Sequence, residues 1–176
     1  GKDTEKEDVK NTVWKQVYGL KAFSPIAKGF PYSEYDDFGA SRSYGYQRTH
    51  LGHDILGQVG TPIIAIEGGK VRALGWNQFG GWRIGIDSFD GKRYYYYAHL
   101  DSYAPLSVGD TVTAGQLLGF MGNTGYSKVE GTKGKFDVHL HFGIYVTDEN
   151  GTELAVNPCY LLKTIENKVL YYQYGV

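Results

Sequence analysis

The chain is poor in cysteine, methionine and proline: 176 residues contain one, one and five of them. A single cysteine, Cys159, excludes an internal disulfide. Its apolar, turn-like setting, Asn157-Pro158-Cys159-Tyr160-Leu161-Leu162, predicts a buried small hydrophobe rather than a reactive thiol. No apolar run approaches the ~20 residues that a membrane-spanning helix needs, and no signal-peptide pattern is present. Lys plus Arg (18) nearly balances Asp plus Glu (19), for a formal net charge of -1 without a basic stripe. That balance argues against nucleic acid or an anionic membrane surface as partner. No glycine-rich loop leads from a strand into a helix with Lys-Ser/Thr, so a phosphate loop is set aside.

Glycine and tyrosine are abundant instead, 25 and 16 residues. Tight turns and aromatic strands use both, so the composition predicts a mostly β protein. The length fits one domain with a sizeable core. Residues 1–30 are expected to be a helix and linker, because Val9, Val13, Trp14, Val17 and Leu20 recur at helical spacing. The charged start Gly1–Asp8 is expected to follow an N-terminal signal or membrane anchor in the parent protein. Phe23 to Arg48 reads as loop.

From Thr61 the chain reads as successive strands. They run over 61–66, 70–76, 82–88, 92–99, one or two between Thr111 and Met121, and 136–146. Gly68-Gly69, Asp90-Gly91 and Asp148–Gly151 mark turns. Tyr94 to Tyr97 should alternate, two rings toward the core and two toward solvent or a groove. Leu154 to Leu162 closes a domain expected over 31–165, with 166–176 as an extension containing an edge-strand candidate, Val169–Tyr172.

The five histidines do not scatter. Four fall into two cassettes, His50-Leu51-Gly52-His53-Asp54 and His139-Leu140-His141, with His99 between them. On a strand, residues i and i+2 share a face, so His139 and His141 project together while Leu140 and Phe142 face the other way. The glycine-rich surroundings of the first cassette favour a bent loop entering a strand over a helix. A catalytic zinc takes three His or carboxylate ligands and keeps one position open. The candidate ligands are His50, Asp54 and His141, which leaves His139 and His99 for proton chemistry.

Taken in order, these cassettes and several further pieces resemble the lysostaphin/LytM-type zinc metallopeptidases. The pieces are Phe38-Gly39-Ala40-Ser41-Arg42, Gly60-Thr61-Pro62, Gly69-Lys70-Val71, Tyr97-Ala98-His99-Leu100 and Gly109-Asp110-Thr111-Val112. Gly115–Gly119, Gly122-Asn123-Thr124-Gly125 and His139–Phe142 complete the series. The resemblance runs from about Asp37 to Leu162. It implies the antiparallel β-sheet fold of that family (a duplicated hybrid motif) with a substrate groove walled by loops. It also implies one zinc ion per chain on His50, Asp54 and His141, with His139 and His99 as catalytic histidines. Tyr44, shortly before the first ligand, is the expected transition-state tyrosine, with Tyr46 as its alternative; His53 is expected to take no part.

The implied activity is hydrolysis of peptide bonds in peptidoglycan stem peptides or cross-bridges by a bacterial protein, extracellular or in the cell envelope. The alternative is a non-cleaving peptidoglycan-binding or protein-docking module in a division or sporulation complex; the complete histidine set favours an enzyme. One departure stands out. Lys128 to Phe136 lengthens the loop before His139, and it is expected to border the groove and influence substrate choice.

Overall fold

The computed structural model describes residues 23–35, 41–43, 47–49 and 52–165. The expected N-terminal helix, the 169–172 edge strand, His50, Tyr44 and Tyr46 lie outside them. Twelve strands are present among the described residues: β1 Ser33–Tyr35, β2 Ser41–Ser43, β3 Gln47–Thr49, β4 His53–Leu56, β5 Pro62–Ile64 and β6 Gly69–Asn77. They continue as β7 Gly81–Ser88, β8 Arg93–Tyr103, β9 Thr111–Val112, β10 Leu117–Met121, β11 His139–Thr147 and β12 Glu153–Val156. All but β2 and β3, which form a separate pair, join one sheet with the main order β1-β4-β11-β8-β7-β6-β9. Every pairing is antiparallel. The mostly β fold read from composition is therefore present, and the strand sequence after Thr61 matches its expected order.

The core lies on one face of the long strands. Tyr95 and Tyr97 of β8, Leu140 and Phe142 of β11, and Ile84 and Ile86 of β7 are all 0 % exposed. The two buried tyrosines bring polar ends inside, and each finds a partner. Ile66 N–H donates to Tyr97 Oη at 3.0 Å, and Tyr95 Oη donates to Glu67 at 2.6 Å, which satisfies groups that would otherwise destabilise the interior. Glu67 is held in turn by a bidentate Arg93 at 2.8 and 2.9 Å. Cys159 is buried, as its setting predicted.

Two expectations need correction. Phe23 to Arg48 is not simply loop. Ile26 bridges Ile63, β1 pairs with β4, and β2 pairs with β3. Phe23, Ile26 and Ala27 are at most 2 % exposed, so the packed body begins before residue 31. Local composition could not reveal this, because strand formation depends on a partner that is remote in sequence. The Asn157–Leu162 stretch, expected to be turn-like, instead enters a helix, Cys159–Ile165, after β12. Asn157 Oδ1 accepts from Cys159 N–H at 3.0 Å and Pro158 stands in the first turn, where its missing N–H costs nothing. The dipeptide read as a turn is thus a helix start.

Phe142 packs against the Tyr97 ring at a centroid distance of 5.2 Å. Phe142→Ala should lower stability by about 3–5 kcal/mol, as a buried aromatic truncation does. Val129→Ala, at a side chain 69 % exposed, should stay within about 0.5 kcal/mol of the parent. Urea unfolding of both variants checks this.

Candidate active site

The register of three strands assembles the site. β11 lies between β4 and β8. On one side His141 stands opposite Asp54 and His139 opposite Leu56; on the other His141 stands opposite Ala98. Directly opposed residues share a face with their Cβ atoms about 5 Å apart, so Asp54 and His141 meet without any help from loops. His141 Nδ1 lies 3.1 Å from Asp54 Oδ1, and His139 Nε2 lies 3.7 Å from the same oxygen. His53, the strand neighbour of Asp54, points to the opposite face and is 1 % exposed.

His99 arrives by a different device. β7 pairs Ile84 with Tyr97 but Trp82 with Leu100. Two residues of β8, Ala98 and His99, therefore oppose the single Arg83, which is a β-bulge. Tyr95 and Tyr97 face the core, and Leu100, also 0 % exposed, resumes that side after the bulge. Strict alternation would have sent residue 99 into the core. The extra residue turns it instead to the face of Tyr96 and Ala98. The conformation has a cost, since His99 has φ 63°, a left-handed backbone that non-glycine residues adopt at about 1–2 kcal/mol. His99 N–H donates to Gly80 O at 2.7 Å, which helps hold it there.

The ring of His99 lies 4.6 Å from that of His139 and 6.1 Å from that of His141, centroid to centroid. A carbonyl oxygen only accepts hydrogen bonds, so two tautomers follow directly. His99 Nδ1–H donates to Thr124 O at 2.7 Å, and His139 Nδ1–H donates to Asp137 O at 2.7 Å. In the neutral form of each ring these bonds leave the lone pair on Nε2. Burial first, then the neighbouring His139 and His141, push the pKa of His99 well below the ordinary value. His99 is therefore a neutral imidazole at physiological pH.

Could these side chains hold a metal? Two ligand atoms of a tetrahedral zinc with bonds of roughly 2.0–2.1 Å stand about 3.3 Å apart, close to the 3.1 Å between His141 Nδ1 and Asp54 Oδ1. The donor chemistry, imidazole nitrogen with carboxylate oxygen, also suits zinc. Among the described residues no three His, Cys, Asp or Glu side chains form a complete metal cluster; His50, the expected third ligand, lies outside them, as does Tyr44. Gly52 is also part of the site. A Cβ there would sit 2.7 Å from His141 Cε1 and Nε2 and 2.7 Å from Phe142 O. The glycine of the first cassette lets the chain lie against the ring of a candidate ligand.

The sequence reading missed Tyr126 and Phe136. Tyr126 stacks on His99 at 5.8 Å and 24°. The Phe136 ring lies 4.5 Å from His99 and 5.1 Å from His139. The loop of residues 128–136, which ends at Phe136, is a pinned hairpin. Gly125 N–H donates to Thr132 O, Gly134 N–H to Asn123 O, and Lys135 Nζ donates to Tyr126 O at 2.8 Å. Its expected extra length was the one visible signal; which of its residues turn inward was not encoded in any periodicity.

Two measurements follow. Gly52→Ala should displace the His141 ring, lowering zinc affinity at least tenfold with the fold retained, as titration against a competing chelator would show. The folded pKa of His99 is depressed, so below about pH 6.5 the unfolded chain takes up a proton that folded His99 refuses. Stability of the metal-stripped protein should therefore fall as pH drops from 6.5 toward 5. His99→Gln should flatten that slope in urea unfolding at pH 7.5 and 5.5.

Comparison with known proteins identifies the family. The model of Peptidase family M23 matches residues 48–158. The L-Ala--D-Glu endopeptidase of Bacillus subtilis (strain 168) is 40% identical over 141 residues, which cover 80% of this chain and 42% of that protein. A solved structure from Ruminococcus gnavus ATCC 29149, described as a candidate glycyl-glycine endopeptidase lytM, superposes with a TM-score of 0.77. It is 42% identical, covering 88% of this chain and 64% of that one. The catalytic domain of lysostaphin from Staphylococcus simulans superposes with a TM-score of 0.60 at 35% identity, covering 75% and 92%. The chain spans less than half the length of the curated relatives it matches. With the family model matching more than half of its residues, the chain belongs to peptidase family M23.

Proposed function

We propose that the chain is a zinc-dependent endopeptidase that hydrolyses peptide bonds in peptidoglycan stem peptides or cross-bridges, acting outside the cytoplasm at the bacterial cell envelope. The observation that carries this reading is the convergence of two kinds of group on one face. Asp54 and His141 stand as a pair fit to ligate a metal, and beside them His99 and His139 each donate Nδ1–H to a carbonyl, so that Nε2 carries the lone pair of the neutral ring. A purely structural or docking surface would need neither the pair nor the tautomers.

Asp54 and His141, with His50 as third ligand, would hold one zinc ion. Bound zinc supplies Lewis acidity, polarising a peptide carbonyl and bringing the pKa of water toward about 7. The other steps fall to side chains of this chain. Nε2 of His139 or His99 takes the proton of the attacking water, and the protonated imidazole hands it to the departing amine. Tyr44 is the proposed donor to the carbonyl oxygen as it gains charge. Phe136 and Tyr126 cover the outer side of His99 and limit water around it.

The relatives carry names for different bonds, L-Ala–D-Glu in one and glycyl-glycine in others, so both substrate types belong in the test. Peptidoglycans of several cross-link types should release peptide fragments with the zinc-loaded protein and none with a chelator, read by mass spectrometry. His139→Ala should keep one zinc per chain and lose at least a hundredfold in turnover, within the roughly 10²–10⁴ that acid–base catalysis contributes. His141→Ala should lose the metal itself. Metal lost from His139→Ala but kept by His141→Ala would reverse the assignment. An intact zinc site with no cleavage of any peptidoglycan would support the non-cleaving alternative.

A further inference from the structure

The segment Gly122-Asn123-Thr124-Gly125 holds no metal ligand and no acid or base, yet it touches both catalytic histidines. It leaves β10 and crosses beneath the site. Gly122 O accepts from His139 N–H at 3.2 Å, and Thr124 O accepts from His99 Nδ1–H at 2.7 Å. Thr124 is 2 % exposed, and its hydroxyl is used twice. Oγ1 donates to Leu100 O at 2.7 Å and accepts from Trp82 N–H at 3.1 Å. Leu100 and Trp82 are the register partners that close the β-bulge beyond Ala98 and His99. One hydroxyl therefore ties together the two strands at the irregularity that aims His99, while the carbonyl of the same residue receives the His99 proton.

Such an approach is possible only where glycine stands. A Cβ at Gly81 would lie 2.4 Å from Thr124 C and O and 2.5 Å from Thr124 Oγ1. A Cβ at Gly125 would lie 2.4 Å from Phe79 O and 3.1 Å from His99 Nδ1. Both glycines also have positive φ, 63° and 128°, so the backbone on each side of the contact is shaped to admit Thr124.

We propose that Thr124 is a positioning residue whose hydroxyl locks the β7–β8 bulge, so that its own carbonyl holds His99 as the Nδ1–H tautomer with Nε2 free for proton transfer. Without Oγ1, Leu100 O and Trp82 N–H lose their shared partner. The bulge then relaxes, the carbonyl shifts from Nδ1, and the His99 ring samples the other tautomer. A neutral histidine with its proton on Nε2 cannot accept a second one there. The consequence for turnover rests on the proposed role of His99 in catalysis; the consequence for the tautomer does not.

Thr124→Val removes the hydroxyl at nearly constant shape, and Thr124→Ser restores it. The ring ¹⁵N shifts of His99, measured at pH 7.5 in metal-stripped protein, report the tautomer directly. The parent and Thr124→Ser should show the Nδ1–H form, and Thr124→Val a mixture. In zinc-loaded protein, Thr124→Val should lower kcat about 10- to 100-fold, with KM and zinc content unchanged, and Thr124→Ser should recover most of that loss. If Thr124→Val fails to fold, Gly81→Ala replaces it, pushing the Thr124 carbonyl aside while the hydroxyl remains; it should show the same tautomer mixture. A pure Nδ1–H form in the variant tested overturns the proposal, whether or not activity falls. A tautomer change as expected in a parent protein that cleaves no peptidoglycan upholds the positioning role and counts against the peptidase reading alone.

Discussion

The register of β11 between β4 and β8 is the constraint on which the site depends. Leu140 and Phe142 are buried on one face of β11, and His139 and His141 project from the other. A slip of one residue would exchange the faces, burying two histidines and exposing a leucine and a phenylalanine. Apolar burial against Tyr95 and Tyr97 of β8 therefore does more than stabilise the sheet. It fixes where Asp54 and His141 meet, because the same register that packs Phe142 also sets Asp54 opposite His141.

Around that regular frame the strain is local. Among the described residues, His99 and Tyr126 are the two non-glycine residues with positive φ, and their rings stack on each other at the site. Strained backbone persists where the surroundings over-determine it. Here the over-determination is visible in hydrogen bonds: Gly80 O holds the His99 amide, Thr124 O holds its ring, and Lys135 Nζ holds the Tyr126 carbonyl. Glycines at 52, 81 and 125 allow the chain to approach the His141 ring, the Thr124 backbone and the His99 ring closely. Their role is steric access as much as turn formation.

The family match takes in the strands of the site and the hairpin beside them alike. The strands bearing Asp54, His139 and His141 fall within the family match. The hairpin between Gly125 and His139 adds an aromatic wall, with Tyr126 at its start and Phe136 at its end packed on the histidines. Its backbone pairing to Asn123 and Gly125 makes it a firm border of the site rather than a free loop.

Alternation and turn chemistry were enough to read the strands after Thr61, the shared face of His139 and His141, and the alternation of Tyr94 to Tyr97, though not which two of those rings face inward. These are local properties, since a period of two and an Asp-Gly turn are visible in a few residues. The Asn157-Pro158 helix start was also local but was read as a turn. What the sequence could not supply was pairing between distant segments: Ile26 on Ile63, β1 on β4, and the meeting of Thr124 with His99. Nor could it show the bulge at Ala98 and His99, because alternation alone assigns His99 to the core. By itself, then, the sequence determined the β character, the faces of the regular strands and the gathering of four histidines and an aspartate into two short cassettes. The tertiary structure alone decided how His99 is aimed and which tautomers are held, because both depend on backbone groups that come together only when the sheet closes.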